Sequence, residues 1–267
     1  TTVSCSATNQ AGKIARASFV VAVTDTAAPS ITAPAALSVG TNDGATYVGA
    51  IGTAAASDNI SSGASLVVTN NAPAAFPLGM TTVTWTATDA AGNSATATQP
   101  VTVVDDDAPT IVAPAAITVG TNTGATYVGA IGTATASDNA SSGTGLVITN
   151  DAPAAFPLWM TTVTWTATDA AGNSATATQP VTVVDDDPPT ITVPAALSVG
   201  TNSGATYVGP VGTATASDNV SSGASLVVTN NAPAAFPLGT TTVTWTATDA
   251  AGNWSSASQP VTVVDDD

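Results

Sequence analysis

A period of 80 residues constrains this chain more than any other feature of its sequence. The segment VTWTATDAAGN occurs unchanged at residues 83–93, 163–173 and 243–253. A fixed period of this length indicates tandem copies of one small domain, each able to bury a modest core. The start of the chain aligns with the end of a copy, since Ala11-Gly12 corresponds to Ala91-Gly92. We expect residues 1–27 to be the C-terminal part of a preceding repeat, followed by full repeats at 28–107, 108–187 and 188–267.

Each copy has the pattern of β-structure. Val163, Trp165 and Ala167 alternate with threonines, and apolar residues with a period of two indicate a half-buried strand. The DAAGN turn follows, and Gly172 can adopt the positive φ of a short hairpin loop. Short strands with turn signals about every ten residues predict an all-β chain of tandem immunoglobulin-like β-sandwiches in a linear array. The expected core of the middle copy is Tyr127, Ile131, Leu146, Ile148, Phe156, Val163, Trp165, Val181 and Val183.

The charge of the chain excludes several classes of function. The net charge is -16, every acidic residue is Asp, and the two basic residues, Lys13 and Arg16, precede the first full copy. Nucleic-acid binding is excluded because it needs cationic side chains to displace phosphate counterions. No apolar run approaches the roughly 18 residues of a membrane span, so we expect no membrane insertion. The chain has no His and no Glu, which removes the commonest general acid–base groups and argues against an enzyme.

Three segments of the middle copy carry a family resemblance. APTIVAP at 108–114, DNASS at 138–142 and FPLWMTTVTWTATDAAGN at 156–173 resemble the hyalin repeat (HYR), an immunoglobulin-like module of extracellular proteins. They are also similar to bacterial immunoglobulin-like adhesin repeats, which often bind calcium between domains. The resemblance implies an extracellular or cell-surface module with an adhesive or structural role and no catalytic activity. The middle copy departs from the family pattern at Trp159, where the other copies have Gly79 and Gly239.

The acidic residues of each copy fall in the linker, in the SDN loop and in the DAAGN turn. An immunoglobulin-like sandwich places these three segments at one end, so we expect carboxylates to gather at each junction with no cation to neutralise them. Calcium accepts about 6 to 8 oxygen ligands in flexible geometry. Magnesium is the second choice, and zinc and copper are disfavoured without His or paired Cys. A solvated acidic linker is the alternative explanation.

The expected ligands fall into three junctions. The first contains Asp25, Asp58 and Asp89. The second contains Asp105, Asp107, Asp138 and Asp169, assisted by Asn139 or Asn173. The third contains Asp185, Asp187, Asp218 and Asp249, assisted by Asn219 or Asn253. Because Thr26 and Ala27 replace two linker acids, we expect the first junction to bind metal most weakly.

Near-identical copies suit a spacer, in which length matters more than the chemistry of any one copy. The leading hypothesis is therefore a stalk or fibre segment of a surface or secreted adhesin-like protein, stiffened by calcium and contacting neighbouring repeats. One alternative is the subunit of a polymerising filament, in which identical chains are the partners and residues 1–25 complete a sandwich with a neighbouring molecule. Another alternative is a module that binds a glycan or a protein.

Asn-x-Ser sequences begin at residues 59, 139, 219 and 253. They match the acceptor motif of N-linked glycosylation. Turns rich in Asn and Ser also produce such triplets by composition alone, and the sequence favours that explanation.

Overall fold

The computed structural model describes residues 1–266 and confirms the all-β prediction. Asp267, the last residue of the expected third repeat, lies outside the described part. The helical content of residues 1–266 is three single 3-10 turns, at Gly63–Ser65, Gly143–Gly145 and Gly223–Ser225. Within the described residues, no helix has the length and hydropathy that crossing a membrane requires.

A two-stranded hairpin precedes three repeats of eight strands each. The hairpin consists of β1 (Thr2–Thr8) and β2 (Ile14–Val20). The first repeat contains β3 (Ser30–Thr32), β4 (Leu37–Gly40), β5 (Thr46–Tyr47), β6 (Ala55–Ser57), β7 (Val67–Asn70), β8 (Phe76–Pro77), β9 (Gly79–Thr88) and β10 (Ser94–Val104). The second contains β11 (Thr110–Val112), β12 (Ile117–Gly120), β13 (Thr126–Tyr127), β14 (Thr135–Ser137), β15 (Val147–Asn150), β16 (Phe156–Pro157), β17 (Trp159–Thr168) and β18 (Ser174–Val184). The third contains β19 (Thr190–Thr192), β20 (Leu197–Gly200), β21 (Thr206–Tyr207), β22 (Thr215–Ser217), β23 (Val227–Asn230), β24 (Phe236–Pro237), β25 (Gly239–Thr248) and β26 (Trp254–Val264).

The same sheet topology occurs in all three repeats. In the second, a four-stranded sheet has the order β12-β18-β17-β15, with β12 parallel to β18 and the other pairs antiparallel. Two short antiparallel pairs, β11–β14 and β13–β16, complete the repeat. The opening segment of the sequence forms β17, and the DAAGN turn joins it to β18 as expected. The chain is therefore a series of tandem immunoglobulin-like β-sandwiches.

Each repeat has one apolar core that the alternating pattern identified well. In the second repeat, Phe156, Val163, Trp165, Val181 and Val183 are buried. Tyr127 and Ile131 are half-buried and pack against them, and Leu146 is also half-buried.

The inclusion of Ile148 in the core was wrong, because 36% of this residue is exposed. It lies on β15, the edge strand of the four-stranded sheet, where a neighbouring strand covers one side only.

Each core contains a buried glutamine side chain that the sequence pattern did not predict. Gln179 is fully buried, and its Oε1 accepts a hydrogen bond from Trp165 Nε1 at 3.1 Å. Its Nε2 donates to the carbonyl oxygens of Ala115 and Ile131 at 3.0 and 2.7 Å. Because a buried polar group is costly without partners, these three bonds explain how the core accommodates glutamine.

The hairpin β1–β2 is exposed along its whole length. Val3 and Phe19 stand 80 residues before Val83 and Gln99, which are buried in the first repeat. The hairpin provides the two strands that were expected between Thr1 and Asp25, and these strands pair with each other.

The chain divides into two compact units. The first contains Thr1–Pro109 together with the loops Asp138–Gly145 and Asp169–Asn173. The second contains Thr110–Ser137, Leu146–Thr168 and the chain from Ser174. Two loops of the second repeat thus belong to the same unit as the linker that precedes that repeat.

Candidate metal centres

Three clusters of Asp residues bring carboxylate oxygens together. In each cluster, one carboxylate oxygen from every residue lies within 4.8 Å of the others. We call them cluster 1 (Asp25, Asp58, Asp89), cluster 2 (Asp105, Asp138, Asp169) and cluster 3 (Asp185, Asp218, Asp249). Clusters 1 and 2 lie within the first compact unit and cluster 3 lies within the second. Each joins one linker residue with one residue from each of two loops, as the sequence predicted.

Hydrogen bonds to the backbone hold the loop carboxylate in place. In cluster 2, Asp138 Oδ2 accepts the amide protons of Ala140 and Ser141 at 2.9 and 2.7 Å. An Asp side chain that binds the backbone two and three residues ahead stabilises a turn. The corresponding bonds in cluster 1 lower the pKa of Asp58, with those from Ser61 and Ile60 contributing most. This carboxylate is therefore kept ionised.

The turn carboxylate is held by Asn173 and by the backbone. Asp169 Oδ1 accepts the amide protons of Gly172 and Asn173 at 2.7 and 2.8 Å, and its Oδ2 accepts from Asn173 Nδ2 at 3.0 Å. Burial pushes the pKa of Asp169 upward, but these hydrogen bonds outweigh burial and lower the pKa overall. Gly172 has a φ of 98°, so the turn depends on a conformation that suits glycine.

Two further bonds join the three segments of cluster 2. Asn173 Nδ2 also donates to the backbone oxygen of Asp105 at 3.1 Å, which ties the turn to the linker. Ser141 Oγ accepts the amide proton of Ala170 at 3.3 Å, which ties the two loops to each other. The carboxylates are therefore held together by bonds that do not involve a metal.

The linker carboxylates are the least satisfied groups of the clusters. Asp25 Oδ2 and both carboxylate oxygens of Asp185 are buried and, among residues 1–266, have no partner in hydrogen-bonding geometry. Burial raises the pKa of Asp105 and of Asp185, and the neighbouring loop and turn carboxylates raise both further. The turn residues Asp89, Asp169 and Asp249 are 5–6% exposed. Like charges held together away from water favour a bound counterion.

The three consecutive Asp residues of a linker have different surroundings. Asp105 joins cluster 2, whereas Asp107 lies in a separate group that we call the Asp107 network. Asp107 Oδ2 accepts from Thr41 Oγ1 at 2.9 Å and from Asn139 Nδ2 at 2.6 Å. Asn139 Nδ2 also donates to the backbone oxygen of Gly44 at 3.4 Å.

The same arrangement follows the second repeat and is called the Asp187 network. Asp187 Oδ2 accepts from Asn219 Nδ2 at 2.7 Å and from Thr121 Oγ1 at 3.1 Å. Of the residues expected to be ligands, Asp107, Asn139, Asp187 and Asn219 thus lie in hydrogen-bonded networks and not in the carboxylate clusters.

Asp106, the middle acid of the linker, lies against the end of β4. A Cβ atom added to Gly40 would stand 2.1 Å from Asp106 Oδ1. The linker therefore approaches the preceding strand closely, and glycine leaves the space. Asp186 lies against Gly120 in the same way.

Sequence reasoning missed Asn93 and Ser141, which assist the clusters, and Thr41, which belongs to the Asp107 network. Asn93 Nδ2 donates to Asp89 Oδ2 at 2.8 Å and to the Asp25 backbone oxygen at 3.2 Å, as Asn173 does in cluster 2. The 80-residue period was the signal that could have identified Asn93. The hydroxyls of Thr41 and Ser141 carried no such signal, because threonine and serine are abundant throughout the chain.

The repeated sandwich with an acidic junction defines a class of tandem β-sandwich repeats, and comparison with known proteins identifies the family. The HYR domain matches residues 24–103, 104–183 and 184–263. The chain therefore belongs to the HYR domain family, which confirms the resemblance read from the sequence. Membership of this family places the chain outside the cell or at the cell surface.

Two hyalins are among its relatives. Hyalin of Lytechinus variegatus is 36% identical over 211 residues, covering 72% of this chain and 38% of that protein. Hyalin of Strongylocentrotus purpuratus is 37% identical over 206 residues, covering 72% of this chain and 17% of that protein. The chain thus spans less than half the length of either relative.

Solved cadherin structures are similar to this chain at low identity and low TM-score. Extracellular repeats 22–24 of mouse cadherin-23 are 18% identical, with a TM-score of 0.37, covering 89% of this chain and 99% of that one. Repeats 1–4 of Drosophila N-cadherin are 12% identical, with a TM-score of 0.36, covering 99% and 84%.

Proposed function

We propose that this chain is a structural segment of an extracellular stalk or fibre, and that calcium bound at clusters 1 to 3 stiffens it. The observation that carries the proposal is the gathering of three carboxylates at every linker, in repeats that contain no Lys or Arg. Repeat limits of 28–107, 108–187 and 188–267 are part of the same proposal. The partners would be neighbouring repeats or identical chains, and no catalytic step is involved.

The donor set of each cluster fits calcium. Three carboxylates supply up to six oxygens and a charge of −3, and calcium takes roughly 6 to 8 oxygen ligands at flexible angles, with water completing the shell. The buried carboxylate oxygens of Asp25 and Asp185 that have no hydrogen-bond partner in the described part of the chain are available as metal ligands. Zinc and copper find neither His nor paired Cys in the sequence.

The clusters should differ in affinity. The linkers of clusters 2 and 3 contain three consecutive Asp residues, whereas Thr26 and Ala27 follow Asp25 in the linker of cluster 1. Because fewer negative charges surround cluster 1, its attraction for a divalent cation is weaker. The remaining expected ligands would hold the linkers and turns in place around the ion: Asp107, Asn139, Asn173, Asp187, Asn219 and Asn253.

Calcium would stiffen the chain because each ion would bind residues from three separate segments. A linker residue and two loop residues that bind the same ion can no longer move independently. Without the ion, the carboxylates repel one another and the linker gains freedom. The proposal therefore predicts a longer, less flexible chain and a higher unfolding midpoint in calcium.

The test combines small-angle X-ray scattering with thermal unfolding, in calcium and in chelator. We expect the maximum dimension and the midpoint both to rise with calcium. Binding to the folded state adds about 2.7 kcal/mol of stability at a hundredfold excess over the dissociation constant. The matched pair of variants is Asp169→Ala, in cluster 2, and Asp43→Ala, which removes an equal charge outside the clusters. If both variants respond to calcium like the parent, the clusters are solvated acidic groups and the proposal is wrong.

A further inference from the structure

We infer that Asn59 is a site of N-linked glycosylation and that the other three Asn-x-Ser sequences of this chain are not. The inference rests on the extracellular location of the family and is independent of whether calcium binds. An N-linked sugar replaces a proton on Asn Nδ2, so the surroundings of that nitrogen decide whether the folded protein can carry the sugar.

Asn139 and Asn219 use this nitrogen within the hydrogen-bonded networks. Asn139 Nδ2 donates to Asp107 Oδ2 at 2.6 Å and to Gly44 O at 3.4 Å, so both of its protons are engaged. Asn219 Nδ2 makes the corresponding bonds to Asp187 Oδ2 and Gly124 O at 2.7 and 3.2 Å. A sugar on either residue would break the bond to an ionised acceptor and would collide with the linker.

Asn253 is engaged even more closely. Its Nδ2 donates to the backbone oxygen of Asp185 and to Asp249 Oδ2, at 3.1 and 2.9 Å. The residue is half-buried beside cluster 3. A sugar there would displace the turn from the linker.

Asn59 differs from these three in its surroundings. It is exposed, as Asn139 and Asn219 are, but within residues 1–266 its side chain takes part in no hydrogen bond. Asp107 stands 32 residues before Asn139, and Ala27 stands the same distance before Asn59. The linker therefore offers Asn59 no carboxylate at this position. This difference lies in the sequence of the linker itself.

The structure also leaves room for a sugar beside Asn59. A shallow groove of about 320 Å³ is lined by Asn59 and by Ala27, Ala28, Ser30, Ser57 and Asp58. The corresponding groove in the third repeat is lined by Asp187, Pro188 and Thr190 in place of Ala27, Ala28 and Ser30. The two grooves have similar volumes, about 320 and 330 Å³, so the first sugar fits beside Asn59, and Ala27 presents no carboxylate bond that its attachment would break.

The backbone of this triplet is already held in a turn. Asp58 Oδ2 accepts the amide protons of Ile60 and Ser61 at 2.9 and 2.8 Å, which leaves the Asn59 side chain exposed. Ile60 is 66% exposed, whereas Ala140 and Val220 at the same position are half-buried. A sugar on Asn59 would cover this isolated apolar side chain.

The test is peptide mass spectrometry of the chain secreted from an animal cell line. We expect the peptide with Asn59 to carry a glycan and the peptides with Asn139, Asn219 and Asn253 to be unmodified. Asn59→Gln is the control and should remove all N-linked sugar. A peptide N-glycosidase should release the glycan from the folded protein without denaturant, and the midpoint should change by less than about 2 °C, since no native bond is lost. An unmodified Asn59, or comparable occupancy at any of the other three in the folded secreted protein, would overturn the inference.

Discussion

Asn173 Nδ2 donates a hydrogen bond to the backbone oxygen of Asp105, 68 residues earlier in the chain, at 3.1 Å. The same bond joins Asn93 to Asp25 and Asn253 to Asp185. Each of these Asn residues also binds the carboxylate of its own turn. One amide therefore sets the distance between the linker and turn members of every cluster.

The first prediction concerns this positioning amide. Asn173→Ala removes the bonds to Asp105 and Asp169 and leaves all three carboxylates of cluster 2. Loss of a residue that orients a metal ligand typically weakens metal binding 10- to 100-fold, so we expect roughly a tenfold loss of calcium affinity at one site. Isothermal titration calorimetry measures it. Asn150→Ala is the control. Within residues 1–266 the Asn150 side chain bonds to the backbone amide of Ala152 alone, so this variant should bind calcium like the parent.

The second prediction concerns the charge of Asp185. Burial first, and Asp218 and Asp249 next, raise the pKa of Asp185 above 3.8. The folded, metal-free protein therefore binds a proton there more readily than the unfolded chain does, and this stabilising contribution is lost as pH rises through the raised pKa. In chelator at neutral pH, Asp185→Asn should unfold at a higher temperature than the parent, and the difference should disappear as the pH falls towards the ordinary Asp value.

Calcium should reverse the order of the two unfolding temperatures. With saturating calcium at neutral pH, Asp185→Asn should unfold at a lower temperature than the parent, because the variant has lost a ligand. Differential scanning calorimetry in chelator and in calcium shows both effects. A variant that is less stable than the parent in both conditions would mean that the carboxylate is a structural group, which contradicts the proposed role.

The third prediction separates the Asp107 network from the clusters. Asp107→Ala removes the acceptor of Thr41 and Asn139 and should cost about 1 to 2 kcal/mol of stability in chelator, the usual range for hydrogen bonds to a charged group that is partly exposed. Asp106→Ala removes the same charge one residue earlier. The Asp106 side chain makes no hydrogen bond to any of residues 1–266, so this variant should leave stability nearly unchanged. Chemical denaturation measures both. Equal effects would show that linker charge matters and that the network does not.

The fourth prediction concerns Trp159, the one non-glycine residue with positive φ among residues 1–266, at 78°. Gly79 and Gly239 hold the equivalent positions with φ of 91° and 96°. A side chain in this region costs roughly 1–2 kcal/mol, partly offset because glycine loses more freedom on folding. Trp159→Gly should therefore stabilise the protein by about 1 kcal/mol. Met160→Thr, which copies the exposed Thr240 of the third repeat, should have little effect on the unfolding midpoint.

Most of the fold could be predicted because each local signal agreed with the period. Alternation in residues 163–167 placed β17 on the core, and Gly172 marked its turn. The burial of Gln179 and the exposure of Ile148 could not be predicted from local patterns. Burial of a glutamine depends on two carbonyl groups far away in sequence, and exposure of an isoleucine depends on which strand forms the sheet edge.

The sequence predicted that the acids of the loops and the linker gather at one place. It did not predict which linker acid joins the cluster and which joins the hydrogen-bonded network. The sequence treats Asp105, Asp106 and Asp107 as equivalent acids. The linker backbone turns them towards cluster 2, towards Gly40 and towards Thr41, respectively. That distinction depends on three-dimensional contacts between segments more than 30 residues apart, which no local pattern contains.

Direct measurement of bound calcium tests the central claim most sharply. The chain is dialysed against buffered calcium, and the metal is counted per chain for the parent and for Asp89→Asn, Asp169→Asn and Asp249→Asn, one variant for each cluster. The account predicts three ions per parent chain, the weakest at cluster 1, and one ion fewer, or one site at least tenfold weaker, in each variant. Binding of less than one ion per parent chain at millimolar calcium, or equal binding by the parent and all three variants, would contradict it.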